Sequence, residues 1–164
     1  MSLRLLILRH AKSSWADEHA DDWERPLTDR GVRDATRAGE RLRRLSLLPD
    51  SIITSDAVRA QTTARLVADA AGYSGKVIQS SLLYHASPDA VIEVLRTVAT
   101  ATARSVMIVG HNPGLEDLTA QLTGEHVALP TAALVNVAVD IDRWSELNPS
   151  TNARMIDIWT PANF

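Results

Sequence analysis

Two histidines and two arginines stand at positions where a phosphoryl group could be gripped. Arg9 and His10 close an aliphatic run, His111 follows a second such run through Gly110, and Arg59 falls in the first turns of an expected helix. Arginine presents a planar fork of donors that stays charged at working pH, which matches the oxygens of a phosphoryl group. A neutral imidazole has a ring-nitrogen lone pair for attack, and its phosphorylated form hydrolyses readily. Helix N-termini near Ser55 and Asn112 would add N–H groups and the positive end of a dipole. The expected ligand is therefore a phosphate, and nothing in this group of side chains calls for a metal or a cofactor. His19, His85 and His126 have no such placement and read as surface or hydrogen-bonded structural histidines.

The elements that must bring these residues together are visible as changes of hydrophobic period. Leu3 to Leu8 is a near-continuous aliphatic run, the pattern of a strand buried on both faces in a parallel sheet. Thr28 is placed to cap a helix carrying Val32, Ala35, Gly39, Leu42 and Leu45 on one stripe. After Pro49, Ile52 and Ile53 form a short buried strand, Ser55 stands at an expected N-cap, and the next helix buries Ala60, Ala64, Val67 and Ala71 before Gly72. Lys76 to Gln79 reads as a weak strand. Ser87, Pro88 and Asp89 then open a helix with Val91, Val94, Leu95 and Val98 on its apolar face. Ser105 to Val109 is a second strongly buried strand, and Asn112 with Pro113 is placed to open a helix through Leu115, Leu118 and Leu122. Runs at Leu134 to Val139 and Met155 to Trp159 add further strands. Strand and helix alternate four times, which predicts an α/β fold: one domain over residues 1–164, three-layer α/β/α, with a central mostly parallel sheet. In such sheets ligands bind beyond the carboxyl ends of the strands, where Arg9, His10 and His111 lie.

Composition narrows the partners. The net charge of −3 over 164 residues offers no general attraction to nucleic acid or to an anionic membrane. Any bound anion must be met by local cations. The chain has no cysteine, which removes disulfides and thiolate chemistry and is compatible with a cytoplasmic setting. Its N-terminal apolar run is too short for a signal-peptide core or a membrane span.

The motifs resemble a known family. Leu8-Arg9-His10-Ala11 is similar to the Arg-His-Gly signature of the histidine phosphatase superfamily, which includes the cofactor-dependent phosphoglycerate mutases. Ser55 to Ala64 resembles its second arginine motif, Val109-Gly110-His111-Asn112-Pro113 its second histidine motif, and Arg25-Pro26-Leu27-Thr28 also fits, so the likeness covers nearly the whole chain. The resemblance implies that His10 is the phosphorylated nucleophile and that Arg9, Arg59 and His111 hold the phosphoryl oxygens. Short members without a large insertion resemble the bacterial SixA-type phosphohistidine phosphatases, and this chain is of that short kind.

Two departures bear on mechanism. Ala11 stands where the signature has glycine, which excludes a positive φ there. After the third strand, mutase-like relatives carry a glutamate as proton donor, whereas this chain reads Ser80-Ser81-Leu82-Leu83-Tyr84. The acidic loop of Asp17, Glu18, Asp21, Asp22 and Glu24 is the remaining source of an acid and reads first as a solvated loop. Alkoxide leaving groups need a proton in the transition state and imidazole needs it far less, so the missing acid favours a phosphohistidine-bearing protein as substrate. The alternatives are a hydrolase of nucleotide or other small phosphate esters and a non-catalytic phosphate-binding module. The presence of His10 counts against the module. A metal-dependent hydrolase built on His10, His111 and the acidic loop lacks any ligand pair at helical spacing.

Overall fold

A computed structural model describes residues 2–164. Six strands form one sheet in the order β3-β2-β4-β1-β5-β6. β1 (Leu3–Arg9), β2 (Ser51–Ser55), β3 (Val77–Ser80) and β4 (Ser105–Gly110) run parallel, while β5 (Leu134–Val139) and β6 (Ala153–Trp159) add an antiparallel edge. The sheet is thus mostly parallel, as the alternation predicts.

The side chains of β1 explain why its aliphatic run has no polar alternation. Leu6 and Leu8 pack with Ala35, Ala38 and Leu42 of α1 (Asp29–Arg44) and with Ala60, Ala64 and Val67 of α2 (Val58–Ala71). Leu5 and Ile7 point to the other face, against Val91 and Leu95 of α3 (Pro88–Val98) and Leu115 and Leu118 of α4 (Gly114–Thr123). Successive strand residues alternate faces, so a strand covered by helices on both sides must be apolar throughout. The result is the three-layer α/β/α arrangement. Among the described residues no helix is long and apolar enough to cross a membrane.

Several local expectations shift. The buried stripe of α1 is Gly31, Asp34, Ala35, Ala38, Gly39 and Leu42, while Val32 and Leu45 are 39% and 41% exposed. Small residues decide this: a Cβ at Gly39 would collide with the Val67 carbonyl, so α1 and α2 touch along that line and rotate Val32 outward. Thr28 caps α1 by accepting the Gly31 N–H at 3.0 Å, and Ser87 caps α3 by accepting that of Ala90 at 3.3 Å. Ser55, by contrast, is the last residue of β2, and α2 begins only at Val58. Its hydroxyl accepts the Ala57 N–H at 3.2 Å, closing a turn between strand and helix in place of a cap. Asn112 is not a cap either. Pro113 holds that position, and the Asn112 amide donates to Glu116 and to the Leu129 carbonyl, each at 2.8 Å. The weak third strand is shifted one residue, to Val77–Ser80.

Candidate active site

The strand order sets the site. β2, β4 and β1 are neighbours running the same way, so Ser55, Gly110 with His111, and Arg9 with His10 finish at one rim. The His10 N–H donates to the Gly110 carbonyl at 3.0 Å, which continues the β1–β4 ladder past the last paired residues. The rings of His10 and His111 are 5.2 Å apart, and His10, His111 and Arg59 are 6%, 4% and 1% exposed. His10, His111 and Arg59 therefore lie together, and the charge of Arg9 is near enough to act on both His10 and Arg59.

The tautomer of His10 follows from its partner. Its Nδ1 lies 2.8 Å from the Ala11 carbonyl oxygen, which can only accept, so Nδ1 carries the proton and Nε2 of the neutral ring holds the lone pair. Burial depresses the imidazole pKa. The Ala11 carbonyl opposes this, the charges of Arg59, Arg9 and Arg25 reinforce it, and the pKa is pushed down to about 4. His10 is accordingly a neutral base with a free Nε2 at ordinary pH. Ala11, with no positive φ, donates its N–H to Thr63 Oγ1 at 3.0 Å, and the Thr63 hydroxyl donates to the Arg59 carbonyl at 2.7 Å. The departure from glycine carries no positive-φ strain at this position.

His111 is gripped from two sides. Nε2 is 2.8 Å from Ser55 Oγ and Nδ1 is 3.5 Å from an Arg59 nitrogen. Guanidinium only donates, so the neutral tautomer with its proton on Nε2, donated to Ser55, satisfies both contacts. Burial again lowers its pKa, joined by His10, Arg59 and His85 and opposed by Asp22, to about 3. Arg9 donates to the Leu129 carbonyl at 2.9 Å, and that segment is tied to α4 because Glu116 accepts the Leu129 N–H at 2.9 Å. The Nε–H groups of Arg9 and Arg59 are buried without a protein partner.

Three more side chains complete the group. Asp22, in a short helical turn at Asp22–Glu24, takes Arg59 with its backbone carbonyl at 2.6 Å and with Oδ2 at 3.0 Å. The same Oδ2 accepts from the Tyr84 hydroxyl and lies 3.1 Å from His85 Nε2, while Oδ1 accepts from Arg25 Nε at 3.1 Å. Burial works against ionisation of Asp22, but the hydrogen bonds from Tyr84, His85 and Arg59 overcome it and hold the carboxyl well below its ordinary range. Asp17, Glu18, Asp21 and Glu24 stay exposed. His19, His85 and His126 are all exposed, as expected for surface or hydrogen-bonded histidines, and of the three His85 stands beside this group. Its ring lies 5.0 Å from that of His111 and 4.2 Å from Tyr84, on a residue with φ of 49°. Sequence reasoning does not single out Tyr84 or His85. They follow the short helical turn Ser81–Leu83 that comes after β3, and neither spacing nor motif marks them. No three His, Asp or Glu side chains among the described residues form a metal-ligand set.

The arrangement sets an unprotonated ring nitrogen in the neighbourhood of two guanidinium groups and a second imidazole. It can accept a phosphoryl group in line and stabilise the charge on its oxygens. A profile described as the histidine phosphatase superfamily, branch 1, matches residues 5–83. A chloroplastic Arabidopsis thaliana protein, itself uncharacterised, is 31% identical over 154 residues, which cover 89% of this chain and 71% of the relative. A structure from Agrobacterium tumefaciens assigned as the phosphohistidine phosphatase SixA superposes with a TM-score of 0.82 at 25% identity, covering 98% of this chain and 99% of that one. The protein histidine phosphatase SixA complexed with tungstate shares the fold, with a TM-score of 0.83 at 22% identity and coverage of 98% and 99%.

Proposed function

Because the chain belongs to the histidine phosphatase superfamily and is of its short SixA type, we propose that it hydrolyses protein phosphohistidine through a phosphoryl group carried on His10. The observation that carries this reading is the neutral His10 ring, its Nδ1–H fixed on the Ala11 carbonyl and its Nε2 free among arginines. Nε2 attacks phosphorus as the bond to the departing imidazole breaks, and that bond's electron pair stays with the leaving ring. Water then attacks the phosphohistidine and gives up a proton to solvent, which balances the proton that the departing ring takes up to leave as neutral imidazole. The Nε2–P bond breaks, the lone pair returns to His10, and phosphate leaves.

Arg9 and Arg59 hold the phosphoryl oxygens through donors that include their unpartnered Nε–H groups. His111, aimed by Ser55, gains a proton more readily when the phosphoryl charge arrives and then donates from Nδ1. None of these steps uses a metal. Binding of tungstate, a tetrahedral oxyanion, by the relative of the same fold is in keeping with this pocket.

A second reading, hydrolysis of small phosphate esters, is favoured by one observation: Tyr84 and His85, held on the Asp22 carboxylate, bring proton-bearing groups to the rim. Turnover of a phosphohistidine peptide, nucleotides and sugar phosphates, each with and without chelator, separates the readings. The phosphohistidine peptide is expected to lead, with activity undiminished by chelator. A sugar phosphate or nucleotide turned over faster than the peptide transfers the assignment to the second reading.

A further inference from the structure

We propose that His85, oriented by Asp22, is the proton donor that lets this pocket cleave phosphate esters of poor leaving groups. This rests on the assignment of His10 as nucleophile.

Geometry puts His85 on the leaving-group side. In-line attack sends the leaving group away from His10, towards solvent. His111 lies 5.2 Å from His10 and His85 lies 5.0 Å from His111, and of these three rings only that of His85 is open to solvent, its side chain 52% exposed. The ionised Asp22 carboxylate can only accept, so the contact at 3.1 Å keeps a proton on His85 Nε2. Nδ1 is then the atom that exchanges. Tyr84 and Arg59 hold the same carboxylate, and Arg25 holds its other oxygen, so Asp22 is fixed and fixes His85 in turn. A φ of 49° is uncommon outside glycine, asparagine, aspartate and histidine, and it keeps this ring next to Tyr84 and His111.

The step balances. As His10 Nε2 bonds to phosphorus, the ester P–O bond breaks, its electron pair goes to the leaving oxygen, and that oxygen takes the Nδ1 proton of the His85 imidazolium. In the second half, neutral His85 Nδ1 takes a proton from the attacking water, the Nε2–P bond breaks, and the imidazolium is restored. Asp22 is a positioning residue throughout. The structure thereby supplies at residue 85 the acid that the stretch Ser80 to Tyr84 lacks.

The test measures kcat/KM for alkyl and aryl phosphates in wild type, His85→Asn and His85→Gly. Asparagine tolerates the positive φ and can still donate to Asp22, but it cannot transfer a proton. Alkyl turnover is expected to fall by about 10²-fold in both variants, with aryl turnover kept within about tenfold. Added imidazole should restore alkyl turnover in His85→Gly. Equal losses on both substrate classes, no loss on alkyl phosphates, or a wild type that cleaves aryl but not alkyl esters each overturn the assignment. Acid-quench trapping in the same samples keeps the two readings apart. A phosphoenzyme that still forms in the variants on aryl substrates leaves the His10 reading standing when His85 fails. Its absence from wild type overturns both.

Discussion

The hydroxyl of Thr63, one turn into α2 beyond Arg59, accepts the backbone N–H of Ala11 at 3.0 Å and donates to the Arg59 carbonyl at 2.7 Å. One buried side chain thus couples the loop after the nucleophile to the helix that carries the phosphate-holding arginine. Thr63→Val keeps the shape and leaves the Ala11 N–H buried without a partner, which costs about 2 kcal/mol. A melting temperature lower by about 4–8 °C is expected. The fall in kcat should exceed the change in KM, because the geometry around His10 loosens while the arginines remain. Unchanged melting would show that the Ala11 N–H finds another acceptor.

His10→Ala should abolish turnover without unfolding the protein, since no other described group combines a free ring nitrogen with the arginine pair. In wild type, acid quenching during turnover should trap a phosphoenzyme that is labile in acid and stable in base. Hydrolysis by the variant at more than a few per cent of the wild-type rate would assign the nucleophile elsewhere.

Arg59 and Asp22 give opposite expectations for the same ligand. Arg59→Ala removes a buried guanidinium, so vanadate should bind more weakly and turnover should fall by several kcal/mol of transition-state stabilisation. Asp22→Asn removes a negative charge that competes for Arg59. Vanadate should then bind at least about threefold more tightly, while alkyl phosphate turnover falls because His85 loses its anchor. Titration of vanadate against both variants checks the pair. Weaker binding to Asp22→Asn would show that the carboxylate orders the arginine more than it blocks it.

The pH dependence has a definite sign. The unfolded chain protonates His10 and His111 below about 6.5, whereas the folded protein does so only near 4 and 3. Between those values the unfolded state binds more protons, so the stability these residues contribute is present above about 6.5 and is lost as pH falls towards 4. Chemical denaturation from pH 7.5 to 4.5 should show this decline, and His10→Gln should reduce it. Because the free enzyme needs His10 neutral, kcat/KM should keep its acid limb near 4, well below an ordinary histidine.

Much of this was legible in the chain alone, for reasons of period and covalent sequence. A strand covered on both faces must be apolar at every position, so Leu3–Leu8 and Ser105–Val109 announced a parallel sheet. Arg9 and His10 follow the first run directly, and His111 the second through Gly110, so their place at a rim came with the strands. The caps at Thr28 and Ser87 are likewise local, set by a hydroxyl reaching an N–H three residues away. What the tertiary structure decided depends on contacts between segments far apart. Ser55 looked like a helix cap, but its hydroxyl closes the turn to Ala57 and accepts the His111 Nε2–H because β2 and β4 are neighbours. Asp22 was one acid among five in a loop, and only the approach of α2 and the segment after β3 gave it Arg59, Tyr84 and His85 as partners. His85 carries no periodic or motif signal. Its role comes from a ring placed against His111 across 26 residues of sequence, by a fold whose strand order no single segment encodes.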